Sequence, residues 1–226
     1  MPSAALVSRP DSRWDPGAVR LAPRLARMAP VSPATAFAEG DTIYAQESAA
    51  QFVYEVIEGM VRTARLGTDG RRIVHGFFVP GDIFGIEPYG PHACSAEAVC
   101  PSRIASCERF RIEQRALADQ PVAMAFWSCL LKSAEQAGAH MSLLARATAI
   151  EKIAHFLLEM AERMSANSRL ALPMSRYDIA DYLGLSSETV SRAFTALRER
   201  QLIATEGRYV TILKLEGLRR LDGLVL

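Results

Sequence analysis

Near the C-terminal end, Glu188, Ser191 and Arg192 stand at i, i+3 and i+4, the spacing that gathers side chains on one face of a helix. A carboxylate, a hydroxyl and a guanidinium grouped in this way match the base edges of a DNA major groove. Arg192 can donate two parallel hydrogen bonds to guanine O6 and N7, Glu188 can accept from a cytosine amino group, and Ser191 can meet a base edge or a thymine methyl. Ser187 lies on the same exposed side, so Ser187, Glu188, Ser191 and Arg192 form the candidate base-reading set. Taken singly, Glu188 reads as a helix-dipole stabiliser and Arg192 as a solvated surface arginine. Their shared face favours recognition. Ser175, Arg176 and Thr189 are expected along the path of the phosphates, positioning the protein without reading sequence.

These residues need elements to aim them. Ser175 with Asp178 three positions on is a capping box, in which the serine oxygen accepts a backbone N–H and the acid sits at the positive end of the helix dipole. Ile179, Ala180 and Leu183 give the helix a buried face, Gly184 permits a sharp exit, and Leu185 plugs the corner. Ser186 then caps a second helix whose Val190, Ala193, Phe194 and Leu197 recur at i, i+3, i+4 and i+7 and so belong inside. Two helices joined through this short Gly-containing turn make a helix-turn-helix. Beyond it, Leu202–Thr205, the Glu206-Gly207 turn and Arg208–Leu213 alternate with period two and predict a hairpin, the wing. From Arg146 onward the chain carries 12 Lys/Arg against 10 Asp/Glu, so phosphate affinity has to come from local placement and helix N-termini.

At 226 residues the chain can hold more than one core. Residues 1–36 contain Pro2, Pro10, Pro16, Pro23, Pro30 and Pro33 among Arg, Ala and Ser, which suits a loose, flexible arm. Residues 37–119 hold short β-type runs, among them Thr42–Ala45, Phe52–Ile57, Met60–Leu66 and Arg72–Val79, punctuated by turns at Glu58-Gly59, Thr68–Gly70 and Pro80–Asp82. That pattern predicts an antiparallel sandwich or roll. Residues 120–146 change to steps of four and three at Ala123, Trp127, Leu130, Ala134, Ala137, Met141 and Leu144, the seam of a long helix. The seam serves either a second copy of the chain or the chain's own domains; a DNA-binding function favours the dimer, with Trp127, Leu130, Ala134, Ala137, Met141 and Leu144 at the interface. Leu131, Phe126 and Leu143 widen the apolar arc toward the β domain. Residues 147–226 make the DNA-binding domain, opening with a helix over about 147–164 that the polar stretch 165–168 ends.

Composition restricts the function classes. Half of the residues are apolar, 23 % are charged and the net charge is +1, an ordinary globular balance without the field of a strongly basic nucleic-acid binder. The longest apolar runs fall short of the roughly 18 residues of a membrane span and the N-terminus lacks the order of a signal peptide, so a cytoplasmic protein with no membrane partner is expected. Cys94, Cys100, Cys107 and Cys129 are spaced by six, seven and 22, with no CxxC pair, and read as reduced thiols with no metal. An enzyme of the metal-dependent cupin type would need clustered histidines with a carboxylate, and His75, His92, His140 and His155 lack that spacing. No catalytic residue and no cofactor is expected.

Asp178-Ile-Ala-Asp-Tyr-Leu-Gly-Leu-Ser-Ser-Glu-Thr-Val-Ser-Arg192 is similar to the DNA-binding signature of CRP/FNR transcription regulators. Glu39-Gly-Asp, Val53-Tyr, Gly59-Met-Val-Arg, Asp69-Gly-Arg-Arg and Pro80-Gly-Asp-Ile-Phe-Gly85 resemble the family's β-roll, so the likeness runs over about 37–226. It implies an α+β architecture: an N-terminal antiparallel β-roll of the cyclic-nucleotide-binding, jelly-roll kind, a long dimerisation helix and a C-terminal winged helix-turn-helix. Ser187 before Glu188, where the CRP group has an arginine, resembles the FNR and FixK branch. That branch implies a homodimer on double-stranded palindromic DNA of the form TTGAT-N4-ATCAA, with RNA polymerase as a further partner. Cys94 stands where cyclic-nucleotide members have their phosphate-binding arginine, and no cysteine precedes it to ligate an iron–sulfur cluster. The resemblance is therefore to FixK-type activators, which act without a small effector on microaerobic, anaerobic or nitrogen-fixation genes. A redox-, haem- or ligand-sensing member of the family is the nearest alternative.

Overall fold

A computed structural model describes residues 24–87, 90–146, 148–164 and 168–222. Its N-terminal domain is a pair of four-stranded antiparallel sheets. Strands β1 (Thr35–Phe37), β3 (Phe52–Glu58), β6 (Ile83–Phe84) and β8 (Ser102–Glu108) form one sheet in the order β1-β8-β3-β6. Strands β2 (Thr42–Tyr44), β4 (Val61–Leu66), β5 (Arg72–Phe78) and β7 (Ser95–Ala98) form the other in the order β2-β7-β4-β5. Tyr44, Val56, Val61, Phe84, Ala96 and Ile104 make the apolar layer that holds this domain together. The β3–β4 corner depends on Gly59: its φ is 90°, and a Cβ there would lie 2.1 Å from the Ser102 hydroxyl oxygen.

The reading of 1–36 as a loose arm fails from Arg24 onward; residues 1–23 lie outside the described residues. A 3-10 turn at Leu25–Arg27 buries Leu25, Met28 and Ala29 against Val53, Cys107, Ile112 and Val122. Glu55, itself buried, accepts the N–H groups of Arg24 and Leu25 at 2.8 Å each. Burial raises its carboxyl above the usual range against the pull of those two bonds. Ser32 donates to the Ser106 carbonyl, and β1 pairs along β8. The prolines prevent long elements in this segment, but its apolar side chains still find a core.

Helix α1 (Arg109–Ala118) leads into the long α2 (Gln120–Leu144), and α3 (Ala149–Arg163) opens the C-terminal domain behind a Thr148–Glu151 capping box. Phe126 and Leu143 pack inward as expected, whereas Leu131 is 57 % exposed and does not serve the β domain. The stretch 165–167 lies outside the described residues; α3 ends at Arg163. One core joins the domains: Met60, Val74, Phe77 and Val79 of the β domain cluster with Phe156, Leu157, Met160 and Tyr182. The Phe77 ring lies 6.2 Å from that of Phe156 and 5.3 Å from that of Tyr182. Asp82 ties the same joint by charge, accepting Lys132 of α2 at 2.8 Å and Arg163 of α3 at 2.9 Å.

Candidate nucleic-acid interface

Helices α4 (Arg176–Leu183) and α5 (Ser187–Glu199) form the helix-turn-helix, and the local sequence explains each of its joints. Ser175 Oγ accepts the Asp178 N–H at 3.1 Å while the Asp178 carboxylate accepts the Ser175 N–H at 3.0 Å, closing the capping box. Gly184 ends α4 in the left-handed region at φ 63°. Ser186 accepts the Thr189 N–H at 3.1 Å and starts α5, whose Val190, Ala193, Phe194 and Leu197 are buried. Lys152 donates to the Leu183 carbonyl, placing a cation at the negative end of α4. The wing strands β10 (Ile203–Glu206) and β11 (Tyr209–Ile212) pair antiparallel, joined by a third strand that the sequence reading missed, β9 (Arg169–Ala171). A last helix, α6 (Leu215–Asp222), also unexpected, buries Leu218 against the core.

The candidate base-reading residues come together on the open face of α5. Glu188 is 71 % and Arg192 79 % exposed at the side chain, and they pair at 2.6 Å across one helical turn. Ser191 is exposed beside them, its hydroxyl donating back to the Ser187 carbonyl at 2.8 Å, and Ser187 is half-buried at the first turn. The residues assigned to phosphates are differently placed. Ser175 and Thr189 spend their hydroxyls on the two N-caps, donating to Asp178 Oδ2 and bonding Ser186 Oγ at 2.8 Å each. The Arg176 guanidinium lies 3.3 Å from the centre of the Phe194 ring. Burial, with the Arg198 charge nearby, pulls its pKa down to about 10. Among the described residues no carboxylate is paired with it. Tyr177, exposed at the second position of α4, and Arg208, at the wing turn beside Ser175 and Arg176 and 3.6 Å from Glu39, were not among the sequence candidates. An exposed tyrosine inside an otherwise buried helical pattern and a cation in a hairpin turn were the signals available.

Residues 151–221 match the family model described as Crp-like helix-turn-helix domain, and residues 34–117 match that described as cyclic nucleotide-binding domain. The nitrogen fixation regulation protein FixK of Rhizobium meliloti (strain 1021) is 42 % identical over 183 residues, covering 80 % of this chain and 83 % of that protein. The chain belongs to the CRP/FNR family. The nitrogen fixation regulation protein FixK of Azorhizobium caulinodans is 39 % identical over 192 residues, covering 82 % of this chain and 77 % of that protein. The solved structure of FixK2 from Bradyrhizobium japonicum superposes with a TM-score of 0.79 at 40 % identity, over 84 % of this chain and 97 % of that one. The α+β fold expected from the sequence is therefore shown, and this CRP/FNR chain is a DNA-binding transcription regulator rather than an enzyme.

In the β domain, aromatic, acidic and thiol side chains gather around Cys94. Tyr44 and His92 stack with ring centres 3.7 Å apart, and His92 Nδ1 lies 3.3 Å from a Glu87 carboxylate oxygen that also neighbours Cys94. Burial pushes all four thiols up, Cys94 further raised by Glu87 against the opposing Arg65 charge. Among the described residues no cluster of three His, Cys, Asp or Glu could hold a metal ion, and no helix is long and apolar enough to cross a membrane. On α2, Trp127 is 58 % and Met141 72 % exposed, with Ala134, Ala137 and Leu144 exposed and Leu130 half-buried in the same row.

Proposed function

We propose that this regulator binds, as a homodimer, an FNR/FixK-type palindrome of the form TTGAT-N4-ATCAA, and that it does so without a small-molecule effector. The carrying observation is the exposed Glu188–Ser191–Arg192 face on a capped helix-turn-helix. Arg192 donates to a guanine, Glu188 accepts from a cytosine, Ser191 and Ser187 meet neighbouring bases, and Arg176 lines the phosphate track, where Ser175 and Thr189, their hydroxyls engaged in the caps, act by setting the helix N-termini. The α2 seam from Trp127 through Leu130, Ala134, Ala137 and Met141 to Leu144 joins the two copies: it is an apolar row left uncovered by its own chain, with small residues where helices approach. Two-fold symmetry then matches the palindrome.

Effector independence is supported by the β domain. A cyclic nucleotide entering at Cys94 would meet the Glu87 carboxylate and the Tyr44–His92 stack, with a thiol in place of a phosphate-binding arginine and the nearby Arg65 charge opposed by Glu87. The targets in this reading are nitrogen-fixation or microaerobic genes, activated in the cytoplasm through contact with RNA polymerase; similarity to nitrogen fixation regulation proteins supports the first of these. Binding of purified, ligand-free protein to the palindromic duplex, against a half-site-scrambled duplex at fixed salt, tests the reading. Selective binding is expected; equal affinity for the two duplexes would refute it.

A further inference from the structure

The first helix of the helix-turn-helix is fastened to the β domain through the carboxylate that starts it. Asp178 is 3 % exposed and uses both oxygens. Oδ2 accepts from the Ser175 backbone and hydroxyl, while Oδ1 accepts Arg62 Nη1 of β4 at 2.9 Å and Arg72 Nη2 of β5 at 2.7 Å. Arg72 Nε continues to Asp181, further along α4, at 2.8 Å. Arg62 is itself oriented from behind by Glu97 of β7 at 2.7 Å.

Such half-buried pairs are weak sources of stability, because the cost of removing the charges from water offsets most of their attraction. A planar guanidinium bridging two carboxylates supplies direction instead. The Asp82 anchor to Arg163 and Lys132 has the opposite polarity, with the acid on the β domain. Two separate ionic anchors flanking the Phe77–Tyr182 contact restrain rotation as well as distance. In the arrangement they hold, Glu188 and Arg192 face solvent, so it leaves the reading face open to DNA.

We propose that Arg62 and Arg72 are positioning residues for DNA recognition: by clamping Asp178 and Asp181 they fix the angle at which each chain of the dimer presents α5, and so set the half-site spacing the protein accepts. This rests on the dimeric palindrome reading. Each base pair added between half-sites moves them by about 3.4 Å and rotates them by about 35°, so a rigid dimer discriminates spacers sharply.

The test compares wild-type protein with Arg62→Gln, Arg72→Gln and Asp181→Asn on duplexes whose spacer is the preferred length or is one or two base pairs shorter or longer. Asp181 lies outside the capping box, so its variant keeps the start of α4 intact. Affinity for the preferred spacer is expected to fall about tenfold in the variants, with much smaller losses on the altered spacers, so that the spacing preference flattens. A uniform loss on every spacer would mean a merely structural role and overturn the proposal, as would unchanged or tighter binding. If wild-type protein showed no spacer preference, the palindrome reading itself would fall and this proposal with it; if wild-type discriminates and the variants discriminate equally, the proposal alone falls.

Discussion

Arg192 and Glu188 are bonded to each other at 2.6 Å, so the proposed reading of DNA exchanges that pair for base edges. An exposed pair one helical turn apart is worth about 0.3–0.5 kcal/mol, so giving it up costs little beside the about 1–3 kcal/mol by which a bidentate arginine–guanine contact discriminates against a wrong base. Arg192→Ala is accordingly expected to cost about 1–3 kcal/mol on the specific duplex and to relax selectivity at one base pair of each half-site. Equal losses on specific and random duplexes, measured by titration, would contradict that role. Arg176, half-buried on the Phe194 ring, is proposed for a different role, a phosphate contact. Arg176→Ala should weaken binding alike across sequences and lower the salt slope of log K by about 1. A changed base preference in that variant would count against the assignment.

Elements explain which of these residues were legible. The caps at Ser175 and Ser186, the exit at Gly184 and the buried row from Val190 to Leu197 depend on neighbours within a turn or two, and the sequence displays them directly. Strand β9 and helix α6 escaped because β9 has only three residues and pairs with β11 some forty positions on, while α6 shows its role through contact with α3. The segment after Arg24 was misjudged for a related reason: its proline content was visible, but the Glu55 carboxylate that receives its backbone was not. Ala137 is exposed in its own chain, so Ala137→Glu should leave the fold intact and set two carboxylates against each other in a dimer seam. Sedimentation is expected to show monomers with unchanged helical content; a dimer of undiminished stability would place the interface elsewhere.

At the scale of the whole molecule, the joint between domains was hidden from the sequence because its ion pairs link residues 116 and 106 positions apart. Reading each acid locally, Asp178 is a helix cap and Asp82 a turn residue; only the assembled chain makes them anchors. Burial works to raise both carboxyls. For Asp82 the Arg163 and Lys132 groups outweigh it, and for Asp178 the Ser175 hydroxyl with Arg62 and Arg72, leaving both below the ordinary value of 3.8. A depressed folded-state pKa contributes stability that is complete above about pH 5 and is lost as pH falls through the folded-state values. Thermal unfolding followed from neutral pH to about pH 3 should therefore show a steep acid loss that Asp82→Asn blunts, with that variant already less stable at neutral pH. Parallel curves for the two proteins would remove Asp82 from the account. An effector-free homodimer on a palindrome is tested by the mass of the complex in sedimentation of ligand-free protein with the TTGAT-N4-ATCAA duplex. Two chains per duplex, unaltered by added cyclic nucleotide, is the predicted result; one chain per duplex, or a complex that forms only after the nucleotide is added, would contradict it.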